Sequence, residues 1–212
     1  PLKIQLEEGV HEISGNNNKM MRVTCSHITF VGRGKDKTTI RGGIGVDNQH
    51  VKFEELAVTN PHGYGLEFFG NETSVDMLKC TIKKCLWGGI NVYQGATVIA
   101  TQCDVTENDC NGVFCDGVDT KVILNDCKIH CNGTNGLGAA DNGVVNIHGT
   151  NSDIYNNDWN GIHISSRAQV NIHLPSQHNT SHDNVRDDRS QASGASIANI
   201  NADGTFTHVV VE

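Results

Sequence analysis

A block of roughly two dozen residues recurs along the chain and is most regular across Val75 to Asn91, Val98 to Phe114 and Val122 to Gly138. Superposing the blocks aligns Cys80 with Cys103 and Cys127, Ile82 with Val105 and Ile129, and Gly89 with Gly112 and Gly136. The cysteine offsets are 103 − 80 = 23 and 127 − 103 = 24. Self-similarity at a fixed period marks a solenoid, in which each unit cannot bury its apolar face alone and must stack on its neighbours. Weaker copies extend upstream, where Leu56, Val58, Gly65 and Leu66 match, and downstream, where Ser152, Ile154, Asn157 and Gly161 match.

The pattern inside one copy selects the kind of solenoid. Short alternating stretches rich in β-branched residues, such as Thr97, Val98 and Ile99, are separated by Asn, Asp and Gly punctuation, and no copy holds a helical period of useful length. The sequence therefore predicts an all-β fold: a single-stranded parallel β-helix with three short strands per coil. Right-handed winding is the expected chirality of parallel crossovers. In one copy the strands fall near Val75 to Leu78, Cys80 to Ile82 and Ile90 to Tyr93. One domain spans 1–212, with opening coils and a cap over 1–50, regular coils over 51–175, and an irregular loop and cap over 176–212. Leu2 to Leu6 and Phe206 to Val211 are the expected capping strands, since an open end would present unpaired strand edges. Twenty-three glycines and only three prolines suit many turns joined by strands whose amides must pair.

Charge and composition exclude several roles. A net charge of −8 without a Lys/Arg cluster argues against nucleic acid and against a membrane surface as partners. No apolar run reaches the roughly 18 residues of a membrane span, and no signal peptide is visible. A monomer is expected. The eight cysteines contain no Cys-x-x-Cys pair. Cys80, Cys103 and Cys127 share one repeat position, which makes them an inward ladder with poor disulfide geometry, and Cys115 aligns with apolar residues. Cys85 aligns with Asn108, Asn132 and Asn157, where stacked amides can hydrogen-bond along the axis. Unbridged thiols favour a reducing, intracellular compartment, whereas acceptor tripeptides at Asn71, Asn132 and Asn179 leave secretion open. Asp104, Asp126 and Asp153 read as different registers that would not converge on a cation. His173, His178 and His182 read as solvated loop side chains. No cofactor and no metal site is expected.

The opening residues carry a resemblance. Ile4 to Ile13, then Ile28-Thr29-Phe30-Val31-Gly32-Arg33-Gly34, then Thr38-Thr39-Ile40-Arg41-Gly42, resemble the first coils of the pectin lyase-like superfamily. That resemblance implies the β-helix fold and a groove beside one sheet that binds an extended sugar chain. The superfamily spans lyases, hydrolases, esterases, epimerases and noncatalytic modules. The Asn-Thr-Asp and Arg-Ile-Lys signatures of polygalacturonases are missing. Asn60-Pro61-His62 is similar to the Asp-Pro-His segment of alginate epimerases, with Asn in place of the carboxylate.

The groove strand is the one after each repeat Gly. Alternation along it exposes Glu67, Asn91, Phe114, Gly138 and His163, then Phe69, Tyr93, Asp116, Ala140 and Ser165. Aromatic rings and flanking polar groups suit sugar rings and hydroxyls, so Glu67, Phe69, Asn91, Tyr93, Phe114, Asp141 and Arg167 are the candidate substrate-binding residues. Asp116, His163 and Tyr93 are the candidate catalytic residues. Glu67 and Asp116, two coils and about 9 to 10 Å apart, form one carboxylate pair, and Asp116 with Asp141 another. In lyase or epimerase chemistry His163 and Arg167 would serve as base and cation, with Tyr93 as acid. Trp87 and Trp159, each two residues before a repeat Gly, form either a turn-side platform or packing under a loop. The expected function is recognition of a polysaccharide, with lyase, hydrolase or epimerase activity open; the alternative is a noncatalytic module that binds protein.

Overall fold

The computed structural model describes residues 1–14, 17–174 and 180–208, and every regular element among them is a β-strand. A coil consists of one strand in each of three sheets. Ser74–Leu78 lies in sheet A, Thr81–Lys83 in sheet B and Ile90–Tyr93 in sheet C, after which Thr97–Thr101 returns to sheet A one layer along. Sheet A runs from Leu2–Gln5 to Phe206–His208, sheet B from Gly9–Glu12 to Ser181–His182, and sheet C from Met20–Val23 to Arg189–Gln191. All pairings are parallel except the last in sheet A, where Phe206–His208 turns back antiparallel on Ser196–Ile200.

Register is set by burial. Because side chains alternate, a slip of one residue would turn every apolar group outward. Val51, Val75, Val98, Val122, Val145 and Val170 stack in sheet A, each no more than 2 % exposed. Leu66, Ile90, Val113, Leu137 and Ile162 do the same in sheet C. Each such side chain contributes about 1.5 to 3 kcal/mol by leaving water. The repeat glycines reflect a close approach between coils. A Cβ on Gly89 would fall 2.7 Å from the Gly112 carbonyl oxygen, and one on Gly112 equally close to that of Gly136.

The corner between sheets A and B explains the cysteines. Lys79, Gln102 and Asp126 adopt left-handed φ of 50°, 53° and 51°, turning the chain so that the next side chain points inward. That next residue is Cys80, Cys103 or Cys127, each at most 3 % exposed. The strand consequently starts one residue later than the sequence suggested, at Thr81 rather than Cys80. Cys80 Sγ donates to the Phe53 carbonyl at 3.4 Å and Cys127 Sγ to that of Ala100 at 3.3 Å, so each small thiol ties its corner to the preceding coil. All eight cysteines are unbridged.

A second left-handed row, Lys84, Glu107, Cys131, Asn156 and Asp183, ends the strands of sheet B. The residues that follow it stack amides. Asn108 Nδ2 donates to Asn132 Oδ1 at 3.0 Å, Asn132 Nδ2 to Asn157 Oδ1 at 3.0 Å, and Asn157 Nδ2 to Asn184 Oδ1 at 2.9 Å. Asn184 lies where the sequence suggested an irregular loop. Residues 175–179 are outside the described residues, but from Thr180 the coil resumes: Ser181–His182 pairs with Asp153–Tyr155, and Arg189–Gln191 with Ile162–Ile164. The expectation failed because the inward positions there are polar. Thr180 and Ser181 are almost fully buried, and Ser181 Oγ donates to the Asp188 carbonyl at 2.6 Å in place of an apolar contact. Likewise His173 and His182 are strand residues stacked on rings in the preceding coil, His148 and Tyr155, rather than solvated loop side chains; His178 is outside the described residues.

Candidate functional site

The outer surface of sheet C carries two rows parallel to the solenoid axis. The first runs Arg22, Gly45, Glu67, Asn91, Phe114, Gly138, His163, Ser190. The second runs Asp47, Phe69, Tyr93, Asp116, Ala140. Consecutive members are about 4.8 Å apart, the strand spacing.

One end of these rows condenses into a cluster. Phe69 and Tyr93 stack at 5.5 Å between centroids with an 11° interplanar angle. Tyr93 Oη donates to Glu67 Oε1 at 3.3 Å, and Arg22 Nη2 donates to Glu67 Oε2 at 3.2 Å. The Arg22 guanidinium also lies 5.0 Å above the Phe69 ring. Arg22 reaches Glu67 by crossing Gly45, where an added Cβ would fall 2.8 Å from Arg22 Cδ. Burial, and then the charge and hydrogen bond of Glu67, push the Tyr93 phenol up to about 12, so it stays protonated and donates. Tyr64 joins from the preceding turn, packed edge-on against Trp87 at 4.9 Å.

The remaining predicted residues are less concentrated. Asn91, expected as an open contact, is only 8 % exposed. Phe114 leans over Gly138, where a Cβ would meet its Cδ2 at 2.8 Å. Asp116 follows Tyr93 in the second row, and burial together with the charge of Asp141, in the turn one coil on, raises its pKa. His163 lies three strands beyond Asn91 and pairs its Nδ1 with Ser190 Oγ at 3.3 Å. Arg167 occupies an exposed left-handed turn, φ 64°, facing Gly194 of the following coil. The structure thus brings together Glu67, Phe69 and Tyr93, sets Asp116 beside Asp141, and leaves His163 and Arg167 about 14 Å along the axis from Tyr93. Trp87 and Trp159 are partly exposed on the turns, Trp159 beneath the Arg186 guanidinium at 3.9 Å.

Arg22 and Tyr64 were missed in the sequence. Arg22 belongs to opening coils that do not align with the repeat, and Tyr64 precedes the repeat Gly rather than following it. Asn60 of the Asn-Pro-His segment is fully buried: its Nδ2 donates to the Tyr64 carbonyl at 2.7 Å and its Oδ1 accepts from the His62 amide at 3.1 Å, so it shapes the turn. One register reading needs correction. Asp104, Lys128 and Asp153 share a row of sheet B, and each aspartate faces a histidine at 3.0 Å, Asp104 facing His130 and Asp153 facing His182. Among the described residues no group of three or more His, Cys, Asp and Glu is placed to hold a metal ion.

Residues 8–185 match the family model described as right handed beta helix region. The A-module of the mannuronan C-5 epimerase AlgE6 from Azotobacter vinelandii superposes with a TM-score of 0.53 at 12% identity, covering 93% of this chain and 78% of that one. Pectin methylesterase from Yersinia enterocolitica superposes with a TM-score of 0.51 at 12% identity, covering 96% of this chain and 90% of that one. At such identity the likeness is one of fold. Comparison with curated protein sequences finds no match. With three parallel sheets, one strand from each per coil, and a family match over most of its length, the chain belongs to the right-handed β-helix family.

Proposed function

We propose that the protein recognises a polysaccharide laid along sheet C, anchored where Phe69, Tyr93, Glu67 and Arg22 meet. The observation that carries this reading is the stacked Phe69–Tyr93 pair, flanked by the Glu67 carboxylate, which accepts from both the Tyr93 hydroxyl and the Arg22 guanidinium. Such a group offers apolar area for a sugar ring, and both donors and acceptors for its hydroxyls, on a rigid parallel sheet. The rows run along the axis, the direction in which an extended chain meets equivalent positions coil after coil. Two proteins of the same fold carry names that tie them to mannuronan and pectin, which supports the ligand class.

The same cluster supports a proton-transfer reaction as a second reading. Glu67 would accept a proton from the substrate, and the protonated Tyr93 phenol 3.3 Å away would donate one. A Glu67→Gln variant that keeps binding but loses turnover would favour it.

The test is a screen of acidic and neutral polysaccharides for binding and turnover, repeated with Tyr93→Ala and Asp116→Ala. The parent is expected to bind at least one polysaccharide, and Tyr93→Ala to weaken that binding about tenfold or more, equivalent to about 1.4 kcal/mol. Asp116→Ala should have a smaller effect. Failure of the parent to bind any of them would replace this reading with that of a noncatalytic protein-binding module.

A further inference from the structure

Away from sheet C, a second set of titratable side chains converges where sheet B meets its following turn. His130 Nε2 lies 3.0 Å from Asp104 Oδ1, and its Nδ1 lies 3.3 Å from Cys131 Sγ and 3.2 Å from Thr106 Oγ1. Burial opposes ionisation of Asp104, but the hydrogen bond and the charge of His130, then the charges of Lys35 and Lys128, outweigh it and hold the carboxyl below its usual range. A carboxylate only accepts, so the network assigns a hydrogen to Nε2; in the neutral form of the ring Nδ1 is then the acceptor, facing the thiol and the Thr106 hydroxyl. The ring is held in place by stacking on Tyr155 at 4.7 Å and 8°, and Tyr155 stacks in turn on His182.

Cys131 differs from the ladder cysteines. It is exposed, and it occupies the left-handed turn row in which the other coils carry Lys84, Glu107, Asn156 and Asp183. The turn therefore does not require a thiol. What the side chain gains at this position is a base, His130, whose far nitrogen is oriented by a carboxylate: the arrangement of nucleophile, base and orienting group used to activate weak nucleophiles.

We propose that Cys131 is a covalent modification site for neutral α,β-unsaturated carbonyl compounds, with His130 as the base and Asp104 as its positioning residue. In the step, Nδ1 of His130 takes the thiol proton as Sγ bonds to the β-carbon. The C=C π pair moves to the α-carbon, which then receives the proton back from the imidazolium. No group leaves and nothing is oxidised. Electrophile choice follows from the surroundings. Burial, then Glu107, Asp158 and Asp104, raise the Cys131 pKa, so the thiol rests protonated and depends on the base, and the same carboxylates repel an anionic reagent.

Acrylamide is the probe, with adduct formation followed by mass spectrometry at Cys131 and at the other two exposed thiols, Cys25 and Cys110. Cys131 is expected to react at least tenfold faster than either, and acrylate, the anionic counterpart, to lose that advantage. His130→Phe keeps a ring against Tyr155 and removes the base, and should bring Cys131 down to the rate of Cys110 without altering Cys25 or Cys110. Asp104→Asn, which retains the imidazole, should displace the pH profile of the Cys131 rate. Equal rates at the three thiols in the parent protein, which needs no variant to fold, overturn the proposal. So does an unchanged Cys131 rate in His130→Phe.

Discussion

Cys103 shows how completely the coil dictates a single side chain. It lies at a corner between two other thiols in the stack and is 2 % exposed, so a charge placed there would lose its hydration. Cys103→Asp should destabilise the fold by about 3 kcal/mol or more, because an unpaired carboxylate would be buried there, whereas Cys103→Ala should cost far less. Denaturant unfolding measures both, and an aspartate variant as stable as the parent would show that the corner does not point inward. The position was legible because three coils repeat it. Arg22 was not, since its importance lies in a contact reached across Gly45 with a strand two coils away, and no local pattern marks it.

Protonation offers a second test on single residues. His148 and His173 stack at 3.9 Å, and burial, followed for His148 by the charges of His173 and Lys121, lowers both pKa values. An unfolded imidazole takes up its proton near pH 6.5. Between there and the lower folded values the unfolded chain binds more protons, so this pair's contribution is complete above about pH 6.5 and declines as pH falls. Unfolding midpoints measured at pH 7.5 and pH 5 should therefore drop less for His148→Asn than for the parent. An identical drop would mean that the pair does not govern the acid limb.

Among the elements, the amide stack between sheets B and C is the one most exposed to a single deletion. Asn132 Oδ1 accepts from both the Asn108 backbone amide at 3.2 Å and the Asn108 side chain at 3.0 Å. Asn132→Ala orphans two buried donors and should cost about 1 to 3 kcal/mol, read as a shift in denaturant midpoint at constant slope. A loss below 0.5 kcal/mol would show that water replaces the amide. This stack was readable as aligned asparagines, and it continues to Asn184 through a coil that hydrophobic periodicity could not reveal. There the interior is lined by Thr180 and Ser181, so the signal that marks a strand elsewhere, an apolar residue at every second position, is absent.

At the scale of the whole molecule, the repeat determines which residues face out together but not how they interact once there. Sequence alternation placed Glu67, Phe69, Tyr93 and Asp116 on one surface. It could not show that Tyr93 donates to Glu67, that Asn91 is covered, or that His163 pairs away from Tyr93 toward Ser190. Those outcomes depend on side-chain conformation and on glycines in neighbouring coils, which leave space that Arg22 and Phe114 fill. On the proposed reading, one face of the solenoid, sheet C, carries ligand recognition. That reading is tested most directly by titrating a polysaccharide bound by the parent protein against Tyr93→Ala, on sheet C, and Tyr155→Ala, on sheet B. Affinity is expected to fall about tenfold or more for Tyr93→Ala and less than twofold for Tyr155→Ala; equal losses, or a larger loss for Tyr155→Ala, would rule sheet C out as the binding face.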